Sequence, residues 1–200
     1  MNRAIYFALF GYLSGSILYA RVFTRLFGKE ALLEESPDKN PGTFNAFKAG
    51  GFWCGLLTLA FDLLKGYLPV MLYLRGAFTQ WGLALVLSAP VLGHNFSVLY
   101  KFKGGKGIAV TFGCLLGLPQ VLPVGILAAG FLFFSLVLCI TPHYHRTLIA
   151  YLFAALSMVL LRVARGVRYG FFISTLAVCT RLLQSKEAKE KCKVVLPWKR

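Results

Sequence analysis

The densest chemistry in this chain lies in seven consecutive residues, Lys101-Phe102-Lys103-Gly104-Gly105-Lys106-Gly107, followed at once by an apolar run from Ile108. Glycines at 104, 105 and 107 let the backbone enter left-handed conformations and approach a ligand closely. Successive amides in such a stretch form an anion-binding concavity. A helix starting at Ile108 adds unpaired N–H groups and the positive end of its dipole. Lys101, Lys103 and Lys106 supply full charges. The pattern predicts a phosphate cradle. It is not a nucleotide-hydrolysing loop, because Lys106 is followed by Gly107 rather than Ser or Thr, and no glycine stands where that motif's first one would be. The plainer alternative is a basic turn that holds lipid headgroups.

A second polar island runs over residues 36–48. Asn40, Thr43 and Asn45 can donate or accept hydrogen bonds. Pro41 and Gly42 make a sharp turn, Lys48 adds a cation, and Asp38 is either a turn residue bonded to its own backbone or a reactive carboxylate. Asp62 and Lys65, at i and i+3, share a helix face and can pair. They either lock helix packing or orient the wall of a site. His94 and Asn95 close an apolar segment just before the basic loop. The His143/His145 pair in a turn has no acidic or cysteine neighbour, so it does not read as a metal site.

These residues must be held by something built for lipid. Of 200 residues, 58% are hydrophobic and 14% charged. Soluble domains run near 45–50% and 25%. The formal net charge is +15, and with this much Leu, Phe and Val a membrane surface is a better partner for it than nucleic acid. Apolar segments at 5–27, 52–74, 81–100, 108–118, 121–140, 148–161 and 170–183 predict an all-α polytopic membrane protein of about seven transmembrane helices, or five or six if short ones do not cross. The fourth segment, cut off by Pro119 and Pro123, reads as a half-buried helix against protein. The chain forms a single membrane domain, with a basic tail over 184–200 that is solvated or lies along the lipid surface. The first segment reads as a retained span rather than a cleaved leader. The five scattered cysteines, none in CxxC spacing, read as packing residues.

Lys and Arg collect in alternate connections. With the N-terminus outside and the C-terminus cytoplasmic, the inner side holds Arg21, Arg25, Lys29, Lys39, Lys48, Lys101, Lys103, Lys106, Arg146 and the tail. The outer side keeps Arg3, Arg75 and an anomalous cluster, Arg162, Arg165 and Arg168. Both polar islands then face the cytoplasm, which suggests a site for phosphorylated, lipid-linked substrates.

The motifs resemble those of the PlsY-type acyl-phosphate:glycerol-3-phosphate acyltransferases of bacteria. Gly93-His94-Asn95-Phe96 and Phe102-Lys103-Gly104-Gly105-Lys106-Gly107-Ile108-Ala109 are close to the family's phosphate-loop motif, GHxFPxFxxFKGGKGVA. Asn40-Pro41-Gly42-Thr43-Phe44-Asn45 resembles its first-loop motif, GSGNxGATNxxR, and Asp62-Leu63-Leu64-Lys65-Gly66 a segment of its second span. Arg181-Leu182-Leu183 and Glu187 fit the tail of its third motif, RHxxNIxRLxxGxE. The departures are specific. The first-loop Ser and Arg fall at Asp38 and Lys48, the third-motif His and Asn at Thr175 and Val178, and the phosphate-loop Pro at Ser97.

The resemblance implies transfer of a fatty acyl group from acyl-phosphate to glycerol-3-phosphate, giving lysophosphatidic acid for phospholipid synthesis in the bacterial inner membrane, with no metal or nucleotide cofactor. It implies that Gly104, Gly105, Lys106 and Gly107 hold the acyl-phosphate. Asn45, Lys48 and Lys103 then hold glycerol-3-phosphate, with Asn40, Gly42, Thr43, His94 and Asn95 around them. The hydroxyl proton goes to a substrate phosphate oxygen or to Asp38. The other reading is a non-catalytic relative that keeps the pocket to bind lipid phosphates. An anion transporter fits less well, because the polar islands sit at one interface rather than mid-membrane.

Overall fold

The run over 5–27 looks like one helix, but the chain breaks it. In the computed structural model, which describes residues 2–36, 40–185 and 190–195, α1 (Asn2–Ser16) stops and α2 (Tyr19–Leu26) restarts after Ile17 and Leu18. Neither residue is a Gly or Pro. The break is held by tertiary donors instead: Ser97 Oγ donates to Ser16 O at 2.5 Å and Lys65 Nζ to Ile17 O at 2.6 Å. A short α3 (Glu30–Glu34) follows. Arg21 pairs with Glu34 and Arg25 with Glu30 across this turn.

The second helix starts earlier than its apolar stretch. α4 (Thr43–Leu74) spans 32 residues and is sharply bent at Gly51, whose φ of 81° and ψ of −173° suit glycine best. The piece before the bend folds back on the piece after it. A Cβ at Gly55 would run into the Phe47 ring, and the Thr43 hydroxyl comes beside Asp62. In a straight helix those partners would lie about 12 and 28 Å apart. The first polar island is therefore tucked against the second span rather than hanging free as a loop.

α5 (Gln80–Asn95) is the central element, capped by Thr79, whose hydroxyl accepts from Gly82 N–H at 3.0 Å. Leu83, Val86, Leu87 and Val91 put it in the main apolar core with Val70 and Tyr73 of α4. After a 3₁₀ turn (Val98–Tyr100) and the basic loop comes α6 (Ile108–Leu116), nine residues long and laid against α4. Glycines permit the contact: a Cβ at Gly66 would strike Val110 O, and one at Gly113 would strike Leu63 O.

α7 (Leu122–Leu132) unwinds into a π-turn (Phe133–Val137). β1 (Ile140–Thr141), α8 (His143–Leu160) and α9 (Arg165–Leu183) complete the bundle. β2 (Lys193–Val194) pairs antiparallel with β1. Part of the tail expected to be solvated or interfacial thus returns as a short strand, and His145 Nε2 lies 2.9 Å from Glu190 O.

Among the described residues, three helices are long and apolar enough to cross a membrane: 2–26 taken through the break, 43–74 and 80–100. Of the seven expected spans, these three meet that standard by length and composition. α6 and α7 are too short, and α8 and α9, at 18 and 19 residues, carry His and Arg at their ends. The outer surface is nonetheless apolar: Leu13, Trp53, Leu156, Leu160, Leu176 and Leu183 are all more than half exposed. An apolar coat of this extent is unfavourable in water and suits hydrocarbon.

α5 and α9 run in the same direction. At one end Gly166 N–H donates to Gln80 Oε1 at 2.8 Å. At the other, Arg181 reaches the loop that follows α5. This pair carries the polar loop at one end of the bundle and leaves the arginine cluster at the opposite end.

Candidate active site

The loop over 101–107 is seated on the C-terminal end of α5. Gly105 N–H donates to His94 O at 3.0 Å. A Cβ at Gly104 would run into His94 O, one at Gly105 into His94 Nε2, and one at Gly107 into Asn95 Oδ1. The reason for glycine therefore differs from the expectation. Only Gly107 has a positive φ, at 76°; the left-handed positions upstream are Lys101 and Phe102, at 53° and 59°. Gly104 and Gly105 are glycine because α5 leaves no room for a side chain. The anion nest expected from successive amides is also one member short, because Gly105 N–H is turned inward.

Beneath the loop lies a sealed polar cluster. Lys65 Nζ is 2.7 Å from Asp62 Oδ1, 2.9 Å from His94 Nδ1 and 2.6 Å from Ile17 O, and it faces the Tyr19 ring at 5.3 Å. Asp62, Lys65 and His94 are each buried to within 4%. A charge at that depth persists only when paired and hydrogen-bonded. Here a carboxylate, an imidazole and a main-chain carbonyl surround the ammonium, and the imidazole lies against Gly105. His94 and Asn95, expected around the substrate, thus lie under the cradle, where they set its shape.

Above the loop is a cavity of about 70 Å³, lined by Asn40, Gly104, Gly105, Lys106, Arg181, Gln184 and Ser185. Asn40 arrives from the first polar island, positioned by Asn45, whose Nδ2 donates to Asn40 O at 2.8 Å and to Ser36 Oγ at 3.3 Å. Arg181 arrives from α9. Its Nη2 donates to Gly104 O at 2.6 Å and its Nη1 to Gln184 Oε1 at 2.6 Å. Two cationic side chains, Lys106 and Arg181, and the side-chain amides of Asn40 and Gln184 border one small volume, a combination of groups suited to a phosphate-sized oxyanion.

Of the residues singled out in the sequence, Asn40, Gly104, Gly105 and Lys106 meet at this cavity. Asn45 stands behind Asn40. Gly42, Thr43 and Gly107 frame the loops without lining the cavity. Lys48 is exposed and turned over the Phe44 ring at 4.6 Å, and Lys103 is exposed, so neither lines it. Asp38 lies outside the described residues. His143 and His145 face different partners, Arg146 and Glu190 O respectively. Arg181, Gln184 and Ser185 were not expected here. The sequence ties Arg181 to the tail of the third motif, but only the parallel course of α5 and α9 brings its guanidinium to Gly104.

The sequence model described as Glycerol-3-phosphate acyltransferase matches residues 5–190. The chain belongs to this acyltransferase family. A glycerol-3-phosphate acyltransferase of Legionella pneumophila (strain Corby) is 35% identical over 205 residues, covering 96% of this chain and 71% of the relative. One of Pasteurella multocida (strain Pm70) is 42% identical over 112 residues, 56% of this chain and 55% of the relative. Two crystal structures of PlsY, an integral membrane glycerol 3-phosphate acyltransferase, share the fold at 25% identity. The glycerol 3-phosphate form superposes with a TM-score of 0.77 over 90% of this chain and 88% of that one. The lysophosphatidic acid form gives 0.74 over 89% and 87%.

Three of the departures of this acyltransferase-family chain from the motifs quoted above have defined surroundings. Ser97, in place of Pro, is fully buried and satisfies the Ser16 carbonyl freed by the α1–α2 break. Thr175 and Val178, in place of His and Asn, are buried and do not line the cavity. The Thr175 hydroxyl donates to Phe171 O at 2.8 Å, and Val178 joins the apolar core.

Proposed function

We propose that this chain transfers a fatty acyl group from acyl-phosphate to glycerol-3-phosphate, releasing inorganic phosphate and forming lysophosphatidic acid. In this reading the protein crosses the bacterial inner membrane with its N-terminus outside and its C-terminus and cavity on the cytoplasmic side. The observation that carries it is the meeting of Asn40, the Gly104–Lys106 loop and Arg181 around one phosphate-sized space.

An acyl-phosphate is a mixed anhydride and needs no covalent enzyme nucleophile. The glycerol hydroxyl oxygen attacks the acyl carbon, the carbon–oxygen bond to phosphate breaks, and the hydroxyl proton ends on the departing phosphate. The protein contributes position and charge. Lys106 and Arg181 hold the phosphate whose negative charge grows as it leaves. Gly104 and Gly105, lacking side chains, let the loop sit on α5 and form the floor of the cavity. Asn40, fixed by Asn45, orients the acceptor, and the acyl chain lies along the apolar outer surface. Asp38, aligned with the family's first-loop Ser, is the candidate for relieving the hydroxyl of its proton when the phosphate does not.

The replacement of the third-motif His and Asn by buried Thr175 and Val178 favours a second reading, a phosphate-binding relative without turnover. One assay separates the two. Purified protein given palmitoyl-phosphate and glycerol-3-phosphate yields lysophosphatidic acid and one phosphate per turnover if it is the enzyme, and Lys106→Ala abolishes both. Binding of palmitoyl-phosphate without product would establish the second reading.

A further inference from the structure

The arginine cluster that sits on the wrong side of the charge distribution has no role in the cavity just described. Arg162 is exposed in the α8–α9 turn, Arg165 is exposed at the start of α9, and Arg168 is half-buried on the first turn of that helix. Arg165 and Arg181 are sixteen positions apart on α9, about 24 Å along the helix, so the cluster belongs to the other end of the bundle.

Among the described residues, no acidic side chain pairs with these three charges. Between Asp62 and Glu187 the sequence has no acidic residue. Among the described residues, Arg162, Arg165 and Arg168 form no side-chain hydrogen bond or ion pair, and Arg168 Nε is buried without a partner. Arg3, at the same end, differs: its guanidinium donates to the carbonyls of Leu72, Tyr73 and Ala77. A buried N–H on a charged group left without an acceptor is costly, so an external acceptor is expected.

Beside Arg168 is a second cavity, of about 220 Å³, between α8 and α9. Its other walls are apolar and include Met158, Phe171, Leu156, Val159 and Phe172. The last three are more than half exposed, so the space opens sideways onto the apolar coat. Trp81 and Tyr169 stack nearby, with ring centroids 4.9 Å apart and 5° between planes, an aromatic pair of the kind that marks the membrane–water interface.

We infer that this cavity is a binding site for an anionic phospholipid, with its phosphate on Arg168 and the flanking arginines and one acyl chain between α8 and α9. The charge fixes the class of occupant. A zwitterionic lipid brings its own cation to an already cationic surface, and free phosphate leaves the apolar walls empty. This site is independent of the acyl-transfer reading and lies at the opposite end of the protein.

The test uses the full chain in dodecyl maltoside with Lys106→Ala as background, so that the other cavity is silenced. Bound lipid is counted by native mass spectrometry with dioleoylphosphatidylglycerol, dioleoylphosphatidylcholine or inorganic phosphate added. One phosphatidylglycerol is expected to remain bound. Arg168→Gln should weaken it about tenfold, the value of one charge-assisted hydrogen bond, and Arg168→Lys should recover part of the loss. Leu156→Trp, at an exposed position on the cavity mouth, should weaken it without touching an arginine. Unchanged affinity in both Arg168→Gln and Leu156→Trp would overturn the inference. So would equal retention of phosphatidylcholine, or displacement of the lipid by inorganic phosphate.

Discussion

Asp62→Asn removes half of an ion pair that the bundle seals from water. Lys65 Nζ then keeps two contacts, His94 Nδ1 at 2.9 Å and Ile17 O at 2.6 Å, but loses the carboxylate at 2.7 Å. Breaking a buried pair this way costs about 3–5 kcal/mol. The remaining dipoles and the retained amide oxygen offset part of that, which leaves about 2–3 kcal/mol. Lys65→Met strands the carboxylate instead and should cost about 3–5 kcal/mol. The double variant Asp62→Asn/Lys65→Met holds no charge in this cluster, so it should be more stable than the sum of the singles predicts by about 2 kcal/mol or more. The measurement is reversible unfolding of the full chain in detergent, with acyl transfer assayed on the same samples. The double variant should regain stability without regaining activity, because His94 still lacks the ammonium that holds it under Gly105. Strictly additive singles would refute the view that the pair is one unit. Full activity in the double variant would refute the view that the cluster shapes the cradle.

Four further outcomes follow from the same geometry. Gly104→Ala puts a Cβ into the His94 carbonyl and should cost about 2–3 kcal/mol, with a loss of phosphate affinity measured by titration; an unchanged affinity would mean the loop is not seated on α5 as described. Arg181→Lys keeps the charge but loses the fork that joins Gly104 O to Gln184, so kcat/KM should fall about tenfold, and a wild-type value would remove Arg181 from the site. Ser97→Ala should cost about 1 kcal/mol in thermal unfolding, since it leaves the Ser16 carbonyl unmet. Ser97→Pro should be accepted by the backbone, because φ is −66° at this position; unfolding of this variant at room temperature would contradict that.

The anion-binding character of residues 103–107 is legible in the sequence because residue type and order carry it. What the sequence cannot convey is why each glycine is there. Strain would fall on the same letters as crowding, and here it falls on Lys101, Phe102 and Gly107 while crowding explains Gly104 and Gly105. The i, i+3 spacing of Asp62 and Lys65 predicts their pairing, and it forms. Their third and fourth partners, His94 and Ile17, come from other helices and have no local signature. The bend at Gly51 had a signal in the Gly50-Gly51 pair. The break after Ser16 had only the Ser14-Gly15-Ser16 run as a signal, and the donors that hold it, Lys65 and Ser97, are distant in sequence. Arg181 was visible as a motif remnant, but its reach to Gly104 depends on two helices running parallel.

That break also has a consequence for helix association. A lysine at the depth of Lys65 is costly to push into a bilayer by itself. The interrupted ladder of the first helix leaves the Ile17 oxygen free for the ammonium of the second, whose own carboxylate one turn away completes the shell. An unbroken first helix would hold no such acceptor, so bringing the two helices together offsets part of the cost of keeping that lysine in a bilayer.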